Sequence, residues 1–82
     1  MANREEQIRE VEDLIEKVAV QIEKSSKNLN GLLIITQIYL ALLKQRILFE
    51  EQKDYVMSEE ARIGMHGAVE LMKTEVASST KN

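Results

Sequence analysis

Apolar residues recur every three or four positions over most of this chain, which is the spacing of one face of an α-helix. The first such run lies in residues 4–26. Asn3 followed by Glu6 is typical of a helix N-cap, and Lys24 suits the negative end of the helix dipole. The pattern predicts a first helix over residues 4–26 with one narrow apolar stripe. The stripe consists of Ile8, Val11, Ile15, Val18 and Ile22.

A second and more apolar helix is predicted over residues 32–53. The Asn-Leu-Asn-Gly segment at 28–31 separates it from the first helix, because Asn and Gly favour the conformations that end helices. This connection is short, so the two helices should pack as antiparallel neighbours. The uncharged run at 28–43 is 16 residues long and contains Thr36 and Gln37. Since a membrane span needs about 20 largely apolar residues, we interpret this segment as a buried helix.

Apolar side chains cover two opposite sides of the second helix. At about 100° per residue, the first face consists of Ile34, Ile35, Ile38, Ala41, Leu42 and Phe49. A thin polar seam containing Gln37, Lys44 and Glu51 separates it from the second face. The two faces lie too far apart for both to be covered in a compact triangle of three helices, so the second should stay exposed and bind a partner. The predicted interaction residues are Leu32, Tyr39, Leu40, Leu43 and Ile47.

A third helix is predicted over residues 59–77, with Ser58 as its N-cap. Gly64 and Gly67 are unfavourable inside a helix, which suggests that another backbone approaches them closely. The alternative is a helix that is frayed or that begins late, near Gly67. Residues 78–82 are expected to form a disordered tail. The apolar face of this helix consists of Ala61, Met65, Ala68, Val69, Met72 and Val76.

These patterns predict an all-α fold in which an antiparallel helical hairpin and a third helix form a three-helix bundle. Residues 1–77 should be a single domain, because the chain has only 82 residues. It has no Cys, so neither disulfides nor thiolate-bound zinc can stabilise it. A domain this small has a small core, and we therefore expect it to form an oligomer, most simply a dimer.

The sequence contains little catalytic chemistry. The only histidine is His66, which could pair with Glu70 one turn later on a solvated helix face. One histidine and one carboxylate are too few for a metal site, and no glycine-rich phosphate loop is present. The net charge of −3 argues against a nucleic-acid partner. We predict no enzymatic activity, no cofactor and no metal.

The exposed apolar face favours a non-enzymatic module for helix-mediated protein–protein interaction, such as a small adaptor or a chaperone-like protein that shields an amphipathic helix. One alternative is a self-assembling structural helical oligomer, for example a phage or assembly component. Another is membrane association through the second helix, which the interspersed polar residues make the weaker alternative. The charged segment at residues 4–13 is unlike the apolar core of a secretion signal, so we expect a cytoplasmic protein.

Overall fold

The computed structural model describes residues 3–25 and 27–79, with the backbone alone for 75–79. It contains three helices, α1 (Arg4–Lys24), α2 (Leu29–Glu51) and α3 (Glu59–Ser79). The predicted all-α arrangement of three helices is confirmed. The start of α1 lies against the end of α2, because the Arg4 guanidinium donates to the backbone oxygen of Phe49. The first two helices are therefore antiparallel, as a hairpin requires.

Two of the predicted helix caps are present. The Asn3 side chain accepts a hydrogen bond of 2.8 Å from the backbone N–H of Glu6, at the start of α1. The Ser58 hydroxyl accepts one of 3.1 Å from the backbone N–H of Ala61, at the start of α3. Each bond satisfies one of the donors that a helix N-terminus leaves unpaired. Because α3 begins at Glu59, a late start near Gly67 is excluded.

The predicted boundaries of α2 are wrong at both ends. The helix begins at Leu29 rather than at 32, because the Asn28 side chain accepts a 3.0 Å hydrogen bond from Gly31 N–H and acts as an N-cap. The sequence pattern predicts that this Asn belongs to the turn between the helices, but it caps the start of the second helix. The helix ends at Glu51 rather than at 53.

The other two helices also differ from their predicted ends. The first helix ends at Lys24 and is followed by the backbone-capping residue Ser25. The third helix continues to Ser79, so the first two residues of the expected disordered tail at 78–82 are helical, and 80–82 lie outside the described residues.

The main core lies between α1 and α2 and is closed by α3. Val11 and Val18 of the predicted α1 stripe are fully buried, whereas Ile8, Ile15 and Ile22 are half-buried. The prediction missed Gln7 and Leu14, which share the same 4-3-4 spacing. Facing them are Ile35 and Leu42 of α2 and Val69 and Met72 of α3, each at most 2% exposed.

A second cluster closes the opposite end of the hairpin. There Phe49 packs edge-on against Tyr55, with ring centroids 5.0 Å apart, and Met57 belongs to the same cluster. The buried amide of Gln7 donates to the backbone oxygen of Met57 (3.1 Å) and accepts from its N–H (2.9 Å). These two bonds hold the connection between α2 and α3 against α1, and so determine where α3 begins relative to α1.

Candidate interaction surface

The most exposed apolar side chains of α2 form a line along the helix. We call this line the outer ridge, and it consists of Leu29, Leu33, Leu40 and Ile47. Their exposed fractions are 72%, 56%, 59% and 52%, respectively. Leu29 and Leu33 are four positions apart, and the later members follow at intervals of seven, so all four lie on one side of the helix. Four large apolar side chains that are all more than half exposed form a patch of the kind that marks interaction sites.

The opposite side of α2 faces the core, through Ile35, Leu42 and Phe49. By length and composition alone, residues 29–51 form a helix that could cross a membrane, with a mean hydropathy of 1.6 over an 18-residue stretch, and only 17% of that stretch is buried. The interpretation of this segment as a buried helix is therefore wrong for the chain by itself. The core covers one side of α2 and leaves the ridge open.

The structure divides the five predicted interaction residues. Leu40 and Ile47 lie on the outer ridge. Leu32 and Leu43 are half-buried, and Tyr39 packs against the main core. The prediction missed Leu29, which was assigned to a turn, and Leu33. The regular seven-residue interval from Leu33 through Leu40 to Ile47 is a signal in the sequence that could have identified Leu33.

An apolar groove of about 340 Å³ runs between α2 and α3. On the α2 side its walls include Ile38 and Ala41, and on the α3 side Ala61, Gly64 and Ala68. The expectation that another backbone lies close to the glycines is wrong within this chain, because a Cβ added at Gly64 or Gly67 would have no neighbour within 4 Å. The small side chains of α3 therefore leave open space beside α2.

A furrow of about 450 Å³ runs between α1 and α2 on the other side of the ridge, and it is acidic. We call it the acidic furrow. Its apolar lining contains Ile15 and Leu43, and its carboxylates are Glu12, Asp13 and Glu16. The ridge thus has an uncharged groove on one side and an acidic furrow on the other.

Arg46 is the basic residue of the acidic furrow, and it is already engaged. Its guanidinium binds Glu12 across the helices at 3.0 Å and Glu50 within α2. Both carboxylates raise the pKa of Arg46 above its ordinary value, and Glu50 has the larger effect. The guanidinium stays charged and remains paired within the chain.

A second ionic cluster joins α3 to α1. Arg62 donates to both carboxylate oxygens of Glu10, at 2.7 and 2.8 Å, and binds Glu59 at 2.8 Å. His66 Nε2 lies 3.2 Å from the same carboxylate, so its partner is Glu10 and not the predicted Glu70. The hydrogen bonds from Arg62, assisted by His66, hold the pKa of Glu10 below its ordinary value of 4.5, although partial burial opposes them. This cluster orients α3 and leaves the outer ridge free.

Among the side chains described, those of residues 3–25 and 27–74, no three His, Cys, Asp or Glu converge as a metal site would require. Comparisons with protein-family models, curated proteins and solved structures gave no match.

Proposed function

We propose that this chain is a non-enzymatic interaction module that binds a helix of another protein along the outer ridge of α2. The observation that carries the proposal is the ridge itself, with Leu33, Leu40 and Ile47 each more than half exposed in one heptad-spaced row. A straight apolar row next to a groove is the geometry by which an amphipathic helix is recognised. In cellular terms the chain would be a small adaptor, or a chaperone-like protein that shields such a helix, working in the cytoplasm.

The groove supports the same proposal. Gly64 and Ala68 leave room beside Ala41, so large side chains of a bound helix could enter between α2 and α3. The ridge alone is a patch of a few hundred Å², whereas a stable interface buries about 800 Å² on each partner. A partner helix that covers the ridge and also fills the groove would come closer to that area.

The proposal is tested by comparing three baits in affinity capture from an extract of the source organism. The baits are the natural chain, Leu40→Glu on the ridge, and Ile63→Glu on α3. Ile63 is the matched control, because it is 63% exposed, lies outside the ridge, groove and furrow, and undergoes the same chemical change. Circular dichroism should give the same melting temperature for all three within a few degrees, since both substitutions are on the surface.

The expected result is a protein captured by the natural chain and by Ile63→Glu but lost with Leu40→Glu. With that protein purified, Leu40→Glu should weaken the Kd by at least about 30-fold, as expected for a buried charge at an apolar interface centre. Capture of the same proteins by all three baits would contradict the proposal.

Self-assembly is an alternative use of the same ridge, because heptad spacing also suits packing against a second copy. It predicts a dimer or larger species of the purified chain at micromolar concentration, measured by sedimentation. Membrane association is the other alternative, favoured by the length and hydropathy of α2. It predicts that the chain floats with lipid vesicles, and that Leu40→Glu abolishes this flotation.

A further inference from the structure

We propose that the helix bound by the outer ridge is a basic amphipathic helix of another protein, with its Lys or Arg side chains lying along the acidic furrow. The inference depends on the proposed function, because it names the chemistry of the partner for the same surface. The furrow on one side of the ridge is lined by carboxylates, whereas the groove on the other side has no charged residue in its lining.

The side of the ridge toward α1 carries two carboxylates that form no ion pair within the described residues. Asp13 and Glu16 are exposed and border the furrow beside Leu43. Within the described residues, neither forms an ion pair with a basic side chain of the protein, and Arg46 is held by Glu12 and Glu50. Both carboxylates are therefore available to basic side chains of a bound helix.

The spacing of these carboxylates suits a helix that runs alongside α1. Asp13 and Glu16 are three positions apart, and at 1.5 Å per residue they lie about one helical turn from each other along the axis. Lys or Arg residues three or four positions apart on a partner helix have the same spacing. The long, flexible stems of Lys and Arg allow their charged ends to reach past the ridge while the apolar seam of the helix covers Leu40.

The groove on the α3 side of the ridge favours a partner surface without basic residues. The lining of the groove contains no charged residue, and its polar members are Gln37 and Gln45. Lys44 is exposed between the ridge and the groove, one heptad after Gln37. A partner helix without basic residues on this flank would avoid repulsion from Lys44, whose long stem can keep its charge in solvent. The surface thus specifies a partner that is basic on one flank only.

A second copy of the chain fits this pattern less well. In an antiparallel pair related by a two-fold axis, each flank of the ridge meets the same flank of the other copy. Asp13 and Glu16 would then approach the same carboxylates of the second copy, and like charges repel. In a parallel pair the acidic furrow would face the groove side of the other copy, where Lys44 and Glu51 have opposite charges, so the electrostatic gain would be small. An anionic membrane surface would also be repelled by these carboxylates.

The test uses two synthetic helical peptides that share one leucine seam at heptad spacing. One peptide carries Lys at the flanking positions and the other carries Glu. Fluorescence anisotropy measures the Kd of each for the full chain at low ionic strength. The basic peptide should bind about tenfold more tightly, because each exposed ion pair contributes modestly. Added salt should reduce the difference.

Two double variants locate the charge that gives this preference. Asp13→Lys with Glu16→Lys should reverse it in favour of the acidic peptide. Asp54→Lys with Glu60→Lys is the matched control, since it changes the net charge by the same amount at exposed positions away from ridge and furrow. This control should still prefer the basic peptide.

The outcomes separate the two proposals. Equal binding of both peptides, lost with Leu40→Glu, would overturn the basic partner and leave the helix-binding function standing. A preference that the control variant also reverses would reduce the effect to net charge and overturn the assignment to the furrow. Failure of both peptides to bind, together with a dimer in sedimentation that Leu40→Glu converts to a monomer, would overturn both proposals.

Discussion

Leu40 and Leu42 lie two positions apart on α2 and have opposite environments, since Leu40 is 59% exposed and Leu42 is 2% exposed. The same residue type therefore has two roles on one helix. Leu42 fills the core with Val18 and Ile35, whereas Leu40 lies on the outer ridge.

Alanine at these two positions should have very different effects on stability. Leu42→Ala leaves a cavity in the core and should lower the free energy of unfolding by about 2–5 kcal/mol. Leu40→Ala should change it by no more than about 0.5 kcal/mol, as is usual for the surface. Urea unfolding of both variants measures the difference. Similar losses at the two positions would mean that the ridge is covered, by the chain itself or by a second copy.

The two hydrogen bonds between Gln7 and Met57 should contribute measurably to stability. Gln7→Leu introduces an apolar side chain of similar size but leaves the buried backbone N–H and C=O of Met57 without their partner. An unsatisfied buried polar group costs about 1–3 kcal/mol, so the free energy of unfolding should fall by at least that amount. The control is Gln37→Leu, which makes the same change at an exposed glutamine of α2 and should have little effect. Equal effects of the two substitutions in urea unfolding would show that the contact to Met57 is unimportant.

The Glu10 cluster predicts a loss of stability in acid. Because the pKa of Glu10 is lower in the folded state than its ordinary value of 4.5, the stabilisation is complete above that value and is lost as the pH falls through the folded pKa. Glu10→Gln should make the stability curve flatter below about pH 4.5, the ordinary value. Glu23→Gln, which alters an exposed carboxylate at the far end of α1, is the control and should keep the slope of the natural chain. Thermal unfolding from acidic to neutral pH measures these curves, and parallel curves for all three proteins would contradict the prediction.

Glycine-to-alanine substitutions should have different effects on α3 and α2. At Gly64 the new methyl group meets nothing within 4 Å, so the higher helix propensity of Ala should stabilise the fold by about 0.5–1 kcal/mol. At Gly31 it would lie 3.0 Å from the Asn28 side chain, which caps α2. Displacing that cap costs about 1 kcal/mol, so Gly31→Ala should not stabilise the protein. Chemical denaturation measures the free energy of unfolding of the two variants. A destabilising Gly64→Ala would mean that another backbone does approach α3.

The sequence predicts the number of helices and two of their caps because those features depend on residues close together in the chain. The hydroxyl of Ser58 and the amide of Asn3 need only the next helical turn to form their bonds. The beginning of α2 was missed because Asn can end one helix or start the next, and the choice depends on how the hairpin closes.

The sequence predicts only part of the exposed face of α2, because exposure depends on residues far away in the chain. Periodicity gives the direction of a side chain around its own helix, but the neighbouring helices decide which directions are covered. Tyr39 packs against the core formed with those helices, while Leu33 is left open. The burial of Gln7 depends on Met57, fifty positions away in the chain, and no local pattern indicates such a contact.

The most direct measurement of the central claim is the rate at which a thiol at position 40 reacts with an alkylating reagent. The chain contains no Cys, so Leu40→Cys carries a single thiol, and Leu42→Cys provides the buried control. In the free protein the thiol at 40 should react at the rate of an unfolded peptide, and that at 42 far more slowly. Addition of the basic peptide should protect position 40. Slow reaction at 40 in the free monomer, as slow as at 42, would contradict an exposed ridge and the function proposed for it.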